Sequence, residues 1–438
     1  MNYSGYEKED NMKKILNNVS LEKEITRSGL PVIYTDSSAY ITNEGHSLVI
    51  GSAGSGKTQA IILPLVKLAM LSGESLLIND PQGEIYQKTA NEFKNRNYKT
   101  ILLDFNESIY GNYWNPLKLA YDLYQSGNTD KAVDLIENIG ISLFSNDAKN
   151  IDPFWANSAS SLFTGIALYL CQKANAEVMT INEINNYATK LMKKEESQKL
   201  IEEIGTDNSI YHYLSGILLA PTDTKGSIYS VFSQNIKSFT SRKNLSSTLS
   251  KSDFEIKNIS KEKTVIYITS GLNNYSEKLI PIFVSQVIEC LNIYGNKKNF
   301  NVILDEFDSL NPMYKFAELL NYSRGLNISF TVVISSYINL INKYGKETTE
   351  IIKYCFSNLV YLYTNDIYTI EEISNCGGKI LKDNQLLPLL PVQELQTFQK
   401  FEALYLITRM LPFKTTLIPD YQINWGFNQE EANFIKRD

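Results

Sequence analysis

The stretch GSAGSGKT, residues 51–58, constrains the fold of this chain more than any other part of the sequence. It fits the G-x-x-x-x-G-K-[ST] phosphate-binding pattern at every defined position. It lies between HSLVI, a run typical of a strand, and TQAIILPLVKLAML, a run typical of a helix. Glycines let backbone N–H groups converge on phosphate oxygens, and the N-terminus of the following helix favours an anion. The sequence therefore predicts a nucleotide-phosphate loop.

Two side chains of this loop have specific predicted roles. Lys57 is expected to reach the β- and γ-phosphates, and the hydroxyl of Thr58 is expected to bind Mg²⁺. A chance Gly/Ser-rich turn is the alternative, but such a turn does not require a strand before it and a helix after it. The predicted nucleotide-binding residues of the loop are Gly51, Ser52, Ala53, Gly54, Ser55, Gly56, Lys57 and Thr58.

A second candidate feature is the run NVILDEF, which ends an apolar stretch in two adjacent carboxylates. Taken alone, the pair is explained by a strand that has reached its polar end. A phosphate-loop site, however, needs a magnesium-organising acid at the end of another strand. Asp305 is therefore predicted as a metal ligand, and Glu306 is predicted as the general base that polarises an attacking water.

Apolar runs of four to seven residues alternate with helical patterns on both sides of a long helical stretch, which extends over about 118–260. Continuous short apolar runs are typical of a parallel sheet covered on both faces. The predicted fold class is α/β, a doubly wound, mainly parallel sheet with an inserted all-α domain. The predicted divisions are an N-terminal tail (1–30), a first part of the nucleotide-binding domain (31–117), the insertion (118–260) and a second part of the nucleotide-binding domain (261–438).

Composition excludes several other classes. A chain of 438 residues is too long for one ordinary core. No run approaches the roughly 18 apolar residues of a membrane span, and the polar N-terminus does not resemble a signal peptide, so a cytoplasmic protein is expected. The four cysteines have no paired spacing, which favours reduced thiols over zinc or disulfides. The net charge of -6 means that nucleic-acid contact would need a local basic patch.

Several ordered motifs resemble those of the type IV secretion coupling proteins, which are hexameric RecA-like ATPases. The resemblance covers roughly residues 40–425. Its motifs are the phosphate loop, NDPQGEIYQKTA, NYWNPL, DPFWANSASSLFTGIALYL, LDEFDSLNPMYKFAELLNYSRGLNISFTVVIS and LPFKTTLIP. It implies a RecA-like fold, ATP and Mg²⁺ as cofactors, and a homo-hexamer. It also implies delivery of DNA (single-stranded and relaxase-bound) or of proteins to a secretion channel.

The resemblance assigns roles to three further residues. Arg324 matches the family's candidate arginine finger, supplied to a neighbouring subunit, although a helix-end arginine that binds carbonyls is the alternative. Asp80 is expected to end the strand next to the phosphate-loop strand, where it would either face the nucleotide or cap the following helix. Ser335 stands where the family has a glutamine that senses the γ-phosphate, and because serine is shorter, hydrolysis is expected to be slow or differently coupled. Asn339 stands where a second glutamine often falls.

Two other features bear on partners. Residues 241–263 carry six basic and three acidic side chains, which would either contact DNA phosphates or form a solvated loop. Most family members begin with transmembrane helices, and no such run is found here. The resemblance therefore implies a peripheral position at the inner face of the membrane, held by a channel or membrane-anchor partner. The first 30 residues are either a tether or a disordered tail.

The main hypothesis is an ATP-driven coupling motor, and three alternatives to it remain open. The first is a cargo receptor that binds ATP but hardly hydrolyses it, which the serine at 335 favours and the intact Glu306 disfavours. The second is another ring DNA translocase, which the helical insertion and the WNPL and SRG elements disfavour. The third is a monomeric kinase, which has no need of the second carboxylate because its nucleophile comes from the substrate.

Overall fold

The computed structural model describes residues 5–43, 45–106, 108–144, 152–173, 175–271, 275–296, 298–382, 384–427 and 430–437. Within these residues the strands are β1 (Asn17–Ser20), β2 (Pro31–Tyr34), β3 (Ser38–Ile41), β4 (His46–Gly51), β5 (Ser75–Asn79), β6 (Lys99–Asp104), β7 (Thr264–Thr269), β8 (Phe300–Leu304), β9 (Ile328–Ile334), β10 (Phe356–Tyr363), β11 (Lys379–Lys382), β12 (Gln385–Pro388), β13 (Glu402–Ile407) and β14 (Phe413–Thr416).

A nine-stranded sheet organises the molecule, in the order β14-β13-β10-β4-β9-β8-β5-β7-β6. The seven strands from β10 to β6 are parallel, and β13 and β14 add an antiparallel edge. The mainly parallel α/β sheet predicted from the sequence is confirmed. Strand β9 lies between β4, which leads into the phosphate loop, and β8, which leads into the two carboxylates.

The helices are α1 (Glu9–Ile15), α2 (Leu63–Ser72), α3 (Glu84–Asn95), α4 (Lys118–Gln125), α5 (Thr129–Phe144), α6 (Pro153–Lys173), α7 (Ile181–Lys190), α8 (Lys194–Ile204), α9 (Ser209–Leu218), α10 (Thr222–Thr240), α11 (Lys243–Thr248), α12 (Ser276–Tyr294), α13 (Phe316–Arg324), α14 (Tyr337–Tyr344), α15 (Lys346–Tyr354), α16 (Ile367–Cys376) and α17 (Val392–Leu395). None of the described helices is both long and apolar enough to cross a membrane.

The two faces of the sheet are both buried, as the continuous apolar strands predict. In β4, Leu48 and Ile50 belong to one hydrophobic cluster and Val49 belongs to another. Side chains alternate across a strand, so this division places one cluster on each face. The first cluster also contains Leu135 of α5 and Phe163 of α6. The helical insertion therefore shares a hydrophobic core with one face of the sheet.

The described residues between β6 and β7 agree with the helical stretch expected over 118–260, which holds helices α4–α11. The first 30 residues differ from the expected tail. Helix α1 buries Met12, and β1 pairs antiparallel with β3, which also pairs with β2. A four-residue strand has too little alternation to be recognised in a sequence, and here pairing with the β2–β3 hairpin stabilises it. The division of the chain into domains stays a prediction.

A buried histidine at the amino end of β4 connects that strand with β9 and α13 through hydrogen bonds. His46 at the start of β4 is fully buried; its Nδ1 accepts from Phe330 N of β9 (3.0 Å), and its Nε2 donates to Leu320 O of α13 (2.6 Å). Burial lowers the pKa of His46 to about 4, and the charge of Arg324 acts in the same direction. His46 is therefore neutral in the folded protein at neutral pH.

This pKa predicts a stability loss in acid. Between pH 6.5 and 4 the unfolded chain binds a proton at this histidine and the folded protein does not, so the free energy of unfolding falls as pH decreases, by up to about 3 kcal/mol. Urea unfolding at pH 7.5 and pH 5 measures this decrease in the free energy of unfolding. The pH dependence should shrink in His46→Gln and persist in His212→Gln, which removes the only other histidine and an exposed one. Equal pH dependence in all three proteins would contradict the prediction.

Candidate functional site

The phosphate loop leaves the carboxyl end of β4 in a conformation that depends on glycine. Ser52 N donates to Tyr363 O of β10 (2.7 Å), which fixes the start of the loop. Gly54 and Gly56 have φ values of 81° and 97°, in the left-handed region that side chains disfavour. The chain then enters a π-helical turn, Thr58–Ile62, which continues into α2. The strand, loop and helix that the motif requires are all present.

The donors of the loop suit a phosphate group. Lys57 Nζ donates to the loop carbonyls of Gly51 (2.6 Å) and Ser52 (3.0 Å), so the ammonium lies within the curve of the loop. Burial lowers the pKa of Lys57, and the charge of Asp305 acts in the opposite direction. The hydroxyl of Ser55 is buried and has no hydrogen-bond partner within the described residues. An ammonium held by carbonyls and an unused hydroxyl form a donor set that phosphate oxygens would complete.

Asp305 follows β8 at the same edge of the sheet. The residue is 9% exposed, and its carbonyl accepts from Asn79 Nδ2 of the neighbouring strand β5 (2.7 Å). Burial raises the pKa of Asp305 to about 6, while the charge of Lys57 acts to lower it. The carboxylate is thus buried beside the loop ammonium, as a residue that holds a cation next to bound phosphates would be.

Glu306 is exposed, and its backbone has φ 52°, a left-handed value that is strained for a residue with a side chain. Two hydrogen bonds hold this conformation: Glu306 N donates to Asp305 Oδ1 (3.0 Å), and Ser309 N donates to Glu306 O (2.8 Å). The turn thus separates the two adjacent acids, one buried and one facing solvent. Their different environments match the different roles predicted for them.

A three-residue cluster beside this turn was not predicted. Asp308 Oδ2 accepts from Ser335 N (2.9 Å), from the Ser335 hydroxyl and from Asn339 Nδ2 (3.1 Å). Asn339 Nδ2 also donates to Ser335 Oγ (2.9 Å). The position expected to sense the γ-phosphate therefore directs its hydroxyl to a carboxylate. The available signal was the third acid of the DEFD run, but its partner lies 27 residues away in the chain.

Asp80 does not lie where the sequence suggested. Strand β5 is not next to β4: β8 and β9 lie between them, so that part of the prediction is wrong. Asp80 Oδ2 accepts from Tyr86 N (2.7 Å) in the first turn of α3, whose N-cap residue is Gly83, so the carboxylate pairs with one of the N–H groups that the helix leaves unbonded. Burial raises the pKa of Asp80 to about 7, and the nearby charge of Asp305 adds to the increase. Contact of Asp80 with a nucleotide stays a prediction.

Arg324 lies at the opposite edge of the sheet from the loop. It is exposed at the end of α13, and its Nη2 donates to Cys355 O. It lines a cavity of about 260 Å³ together with His46 and Ile328, the first residues of β4 and β9. The seven residues of β9 separate this edge from Ser335 by about 23 Å. Arg324 is therefore not brought to the phosphate loop of its own chain.

The basic segment 241–263 does not form a single patch. Arg242 stacks on Tyr275 near the carboxyl end of β7, whereas Lys263 directly precedes the first residue of β7 at the other edge. Lys251 lies over the ring of Tyr113 instead (4.1 Å). The segment therefore crosses the molecule from one sheet edge to the other, and its charges act at separate places.

These features define a P-loop NTPase of RecA-like fold, with an extra strand, β9, between the phosphate-loop strand and the acidic strand. The family described as "Type IV secretory system Conjugative DNA transfer" matches residues 2–385, and the chain belongs to this family. Both the fold class and the family predicted from the sequence are confirmed. No curated protein sequence matched the chain in a separate search.

Solved structures agree on the fold. The plasmid coupling protein TrwB in complex with ADP and Mg²⁺ superposes with a TM-score of 0.70 at 15% identity, over 99% of this chain and 97% of that chain. TrwB with a non-hydrolysable GTP analogue gives 0.66 at 18%, over 89% and 88%. VirB4 of Thermoanaerobacter pseudethanolicus gives 0.56 at 11%, over 91% and 98%. The fold is thus retained where little sequence identity remains.

The loop geometry predicts a graded effect of alanine. In Gly56→Ala the new Cβ would lie 2.6 Å from the ring of Phe401, and the positive φ would strain the backbone as well. We therefore expect the free energy of unfolding to fall by about 2 kcal/mol and nucleotide binding to be lost. Gly54→Ala has similar φ strain with open space around it. Gly127→Ala is the control with the same strain far from the loop. Urea unfolding and binding of a fluorescent ADP analogue measure both effects.

The double variant Gly56→Ala/Phe401→Leu should recover part of the stability, since the smaller side chain relieves the contact. If Gly56→Ala and Gly127→Ala were equally stable and equally able to bind nucleotide, the role of close packing against the loop would be refuted.

Proposed function

We propose that this chain is an ATP-driven coupling protein of conjugative transfer, which recruits DNA or protein substrates and delivers them to a type IV secretion channel. One observation carries the proposal. The loop after β4 and the carboxylates after β8 lie at the same edge of the sheet, with β9 between these strands. This arrangement suits hydrolysis of a nucleotide rather than binding alone, because it provides a second, exposed acid beside the buried one. Membership of the conjugative DNA transfer family supports the choice of cargo.

ATP is the substrate of this proposal, and the loop donors described above would hold its phosphates. Thr58 and Asp305 would hold Mg²⁺, an ion that neutralises charge developing on phosphate oxygens. The binding of ADP and Mg²⁺ by TrwB, a protein of the same fold, supports the choice of ligands. Glu306 would accept a proton from the attacking water, since its carboxylate is exposed and lies next to Asp305 in the turn.

Arg324 acts between subunits in this proposal. The whole length of β9, about 23 Å, lies between the edge that holds Arg324 and Ser335, so this arginine is too far away to serve the site of its own chain. An arginine on the opposite edge of a neighbouring copy would reach the site in a head-to-tail ring. We therefore propose a homo-hexamer in which each site is completed by the partner's arginine.

The remaining partners are part of the same proposal. The DNA is proposed to be single-stranded and relaxase-bound, and the chain is proposed to act at the inner face of the membrane, held there by a channel or membrane-anchor protein. The description of the family as one of conjugative DNA transfer supports DNA as the cargo.

Turnover of ATP by the purified chain tests the enzyme. Wild-type protein should hydrolyse ATP faster when single-stranded DNA is present, and Glu306→Gln should lower turnover at least about 100-fold because the proton acceptor is lost. The affinity of Glu306→Gln for nucleotide should equal that of wild type. Glu318→Gln is the matched control, because it removes another exposed carboxylate, on α13. Turnover in Glu306→Gln equal to that of wild type would reject Glu306 as the base.

Mixing two inactive variants tests the ring. Glu306→Gln keeps the arginine and Arg324→Ala keeps the base, so a mixed ring contains some interfaces with both groups. An equal mixture should recover about a quarter of wild-type turnover, whereas each variant alone stays inactive. Mixtures that never exceed the activity of the separate variants would contradict a finger supplied between subunits.

A second candidate function is a receptor that binds ATP with little hydrolysis. The hydrogen bonds from Ser335 and Asn339 to Asp308 favour it, because both side chains at the sensor position are engaged by a carboxylate. A receptor would bind ATP and cargo with no turnover above that of Glu306→Gln. The turnover assay therefore distinguishes it from the motor.

A further inference from the structure

A small basic recess lies beside the carboxyl ends of β6 and β7. Its volume is about 280 Å³, and three distant segments form it: the stretch after β6, the turn from α10 into α11, and the residue before α12. The lining residues are Ser108, Arg242, Lys243, Asn244, Leu245 and Tyr275. Among these described residues two are cations and none is acidic. In a chain of net charge -6, this recess is a local concentration of positive charge.

The hydroxyl of Ser108 is not accounted for by the fold. Ser108 is 4% exposed, and its Oγ has no hydrogen-bond partner within the described residues. Its backbone has φ 57°, and its carbonyl accepts from Thr248 Oγ1 (3.3 Å). A buried hydroxyl without a partner destabilises a protein, because its hydrogen bond to water is lost without replacement. A ligand with acceptor oxygens in the recess would restore that hydrogen bond.

The cations of the recess have donors to spare. The Arg242 guanidinium lies 5.0 Å from the centre of the Tyr275 ring, and its Nη1 donates to Ser238 O (3.2 Å). Tyr275 in turn donates its hydroxyl to Asn106 O (3.2 Å), which holds the ring. A guanidinium has five N–H donors, so most remain for a ligand. Within the described part of the chain, no ion pair is formed by Arg242 or Lys243.

We propose that this recess binds one phosphodiester group of single-stranded DNA, an inference that rests on the proposed function. A guanidinium, an ammonium and an unused hydroxyl together match a phosphate group, which offers several acceptor oxygens and a negative charge. A recess of about 280 Å³ has room for the phosphodiester group of one nucleotide. Aromatic rings beside cations are how proteins hold single strands without reading their sequence.

The position of the recess gives the contact a further consequence. Ser108 follows a strand of the sheet, whereas Arg242 and Lys243 belong to the helical insertion. DNA bound here would contact both parts of the chain at once. It would also lie at the same sheet edge as the phosphate loop, since both follow carboxyl ends of parallel strands.

Binding of a fluorescein-labelled oligothymidine to the full chain, followed by anisotropy at several salt concentrations, tests the recess. Arg242→Ala/Lys243→Ala should lower the affinity about 10- to 100-fold, because charge-assisted hydrogen bonds are lost. The slope of log affinity against log salt should fall by about 0.7, the contribution of one single-strand phosphate. Lys257→Ala/Lys261→Ala removes the same charge from exposed positions of segment 241–263 outside the recess, and should bind like wild type.

Ser108→Ala separates binding from folding. Because the hydroxyl has no partner in the protein, its removal should leave the Tm unchanged or higher while it lowers DNA affinity. Unchanged DNA affinity in Ser108→Ala, whatever its Tm, would contradict a ligand contact at this residue.

The remaining outcomes separate this inference from the proposed function. If wild type and Arg242→Ala/Lys243→Ala bind the oligonucleotide equally, the recess is not a DNA site, and the motor proposal stands on its turnover assay. If that variant loses binding of inorganic phosphate alone and keeps its DNA affinity, the recess is a small-anion site and the inference is wrong. If the wild-type chain binds no DNA while it hydrolyses ATP, both the recess and the DNA cargo are rejected and the ATPase remains.

Discussion

The shared direction of β4, β9 and β8 is the constraint on which the rest of this molecule depends. Parallel strands all end at the same edge of a sheet, so the segments that follow them lie near one another at that edge. In this way residues more than 200 positions apart, the loop lysine and the Asp305 carboxylate, become neighbours. Burial raises the pKa of Asp305, and the opposing charge of Lys57 limits that increase. The sheet thus brings together an ammonium and a carboxylate that desolvation alone would neutralise.

The same strand direction separates other groups. Arg324 ends the helix that leads into β9, so the full length of that strand lies between it and the site. In the proposed ring this separation is an advantage, because a group at one edge of a subunit can complete the site at the facing edge of the next. Arg242 and Tyr275, by contrast, lie near the carboxyl end of β7. The insertion and the sheet share one hydrophobic cluster, which ties their relative positions together.

Local patterns predicted well wherever the chemistry is contained in a few consecutive residues. The phosphate loop needs its glycines at fixed spacing, and the DEF run needs only a strand before it, so both were found in the sequence. The parallel sheet and the helical stretch were also predicted, since each follows from a repeated apolar pattern. Strand β1 was missed because four residues carry almost no pattern. The contact between Asp308 and Ser335 was missed because no pattern in the sequence near Asp308 indicates a partner 27 residues away.

By itself the sequence determined where a glycine-rich loop would join a strand to a helix, which strands would be buried and which acids would end a strand, because backbone conformation, hydrophobic burial and charge act over short stretches. Only the tertiary structure decided which strands are neighbours. It placed β8 and β9 between β4 and β5, so Asp80 follows a strand that is not next to the phosphate-loop strand, and its carboxylate accepts from Tyr86 N of α3. It also joined Ser108 to Arg242 in one recess. Strand order results from packing the whole chain at once, and that packing depends on contacts between residues far apart in sequence.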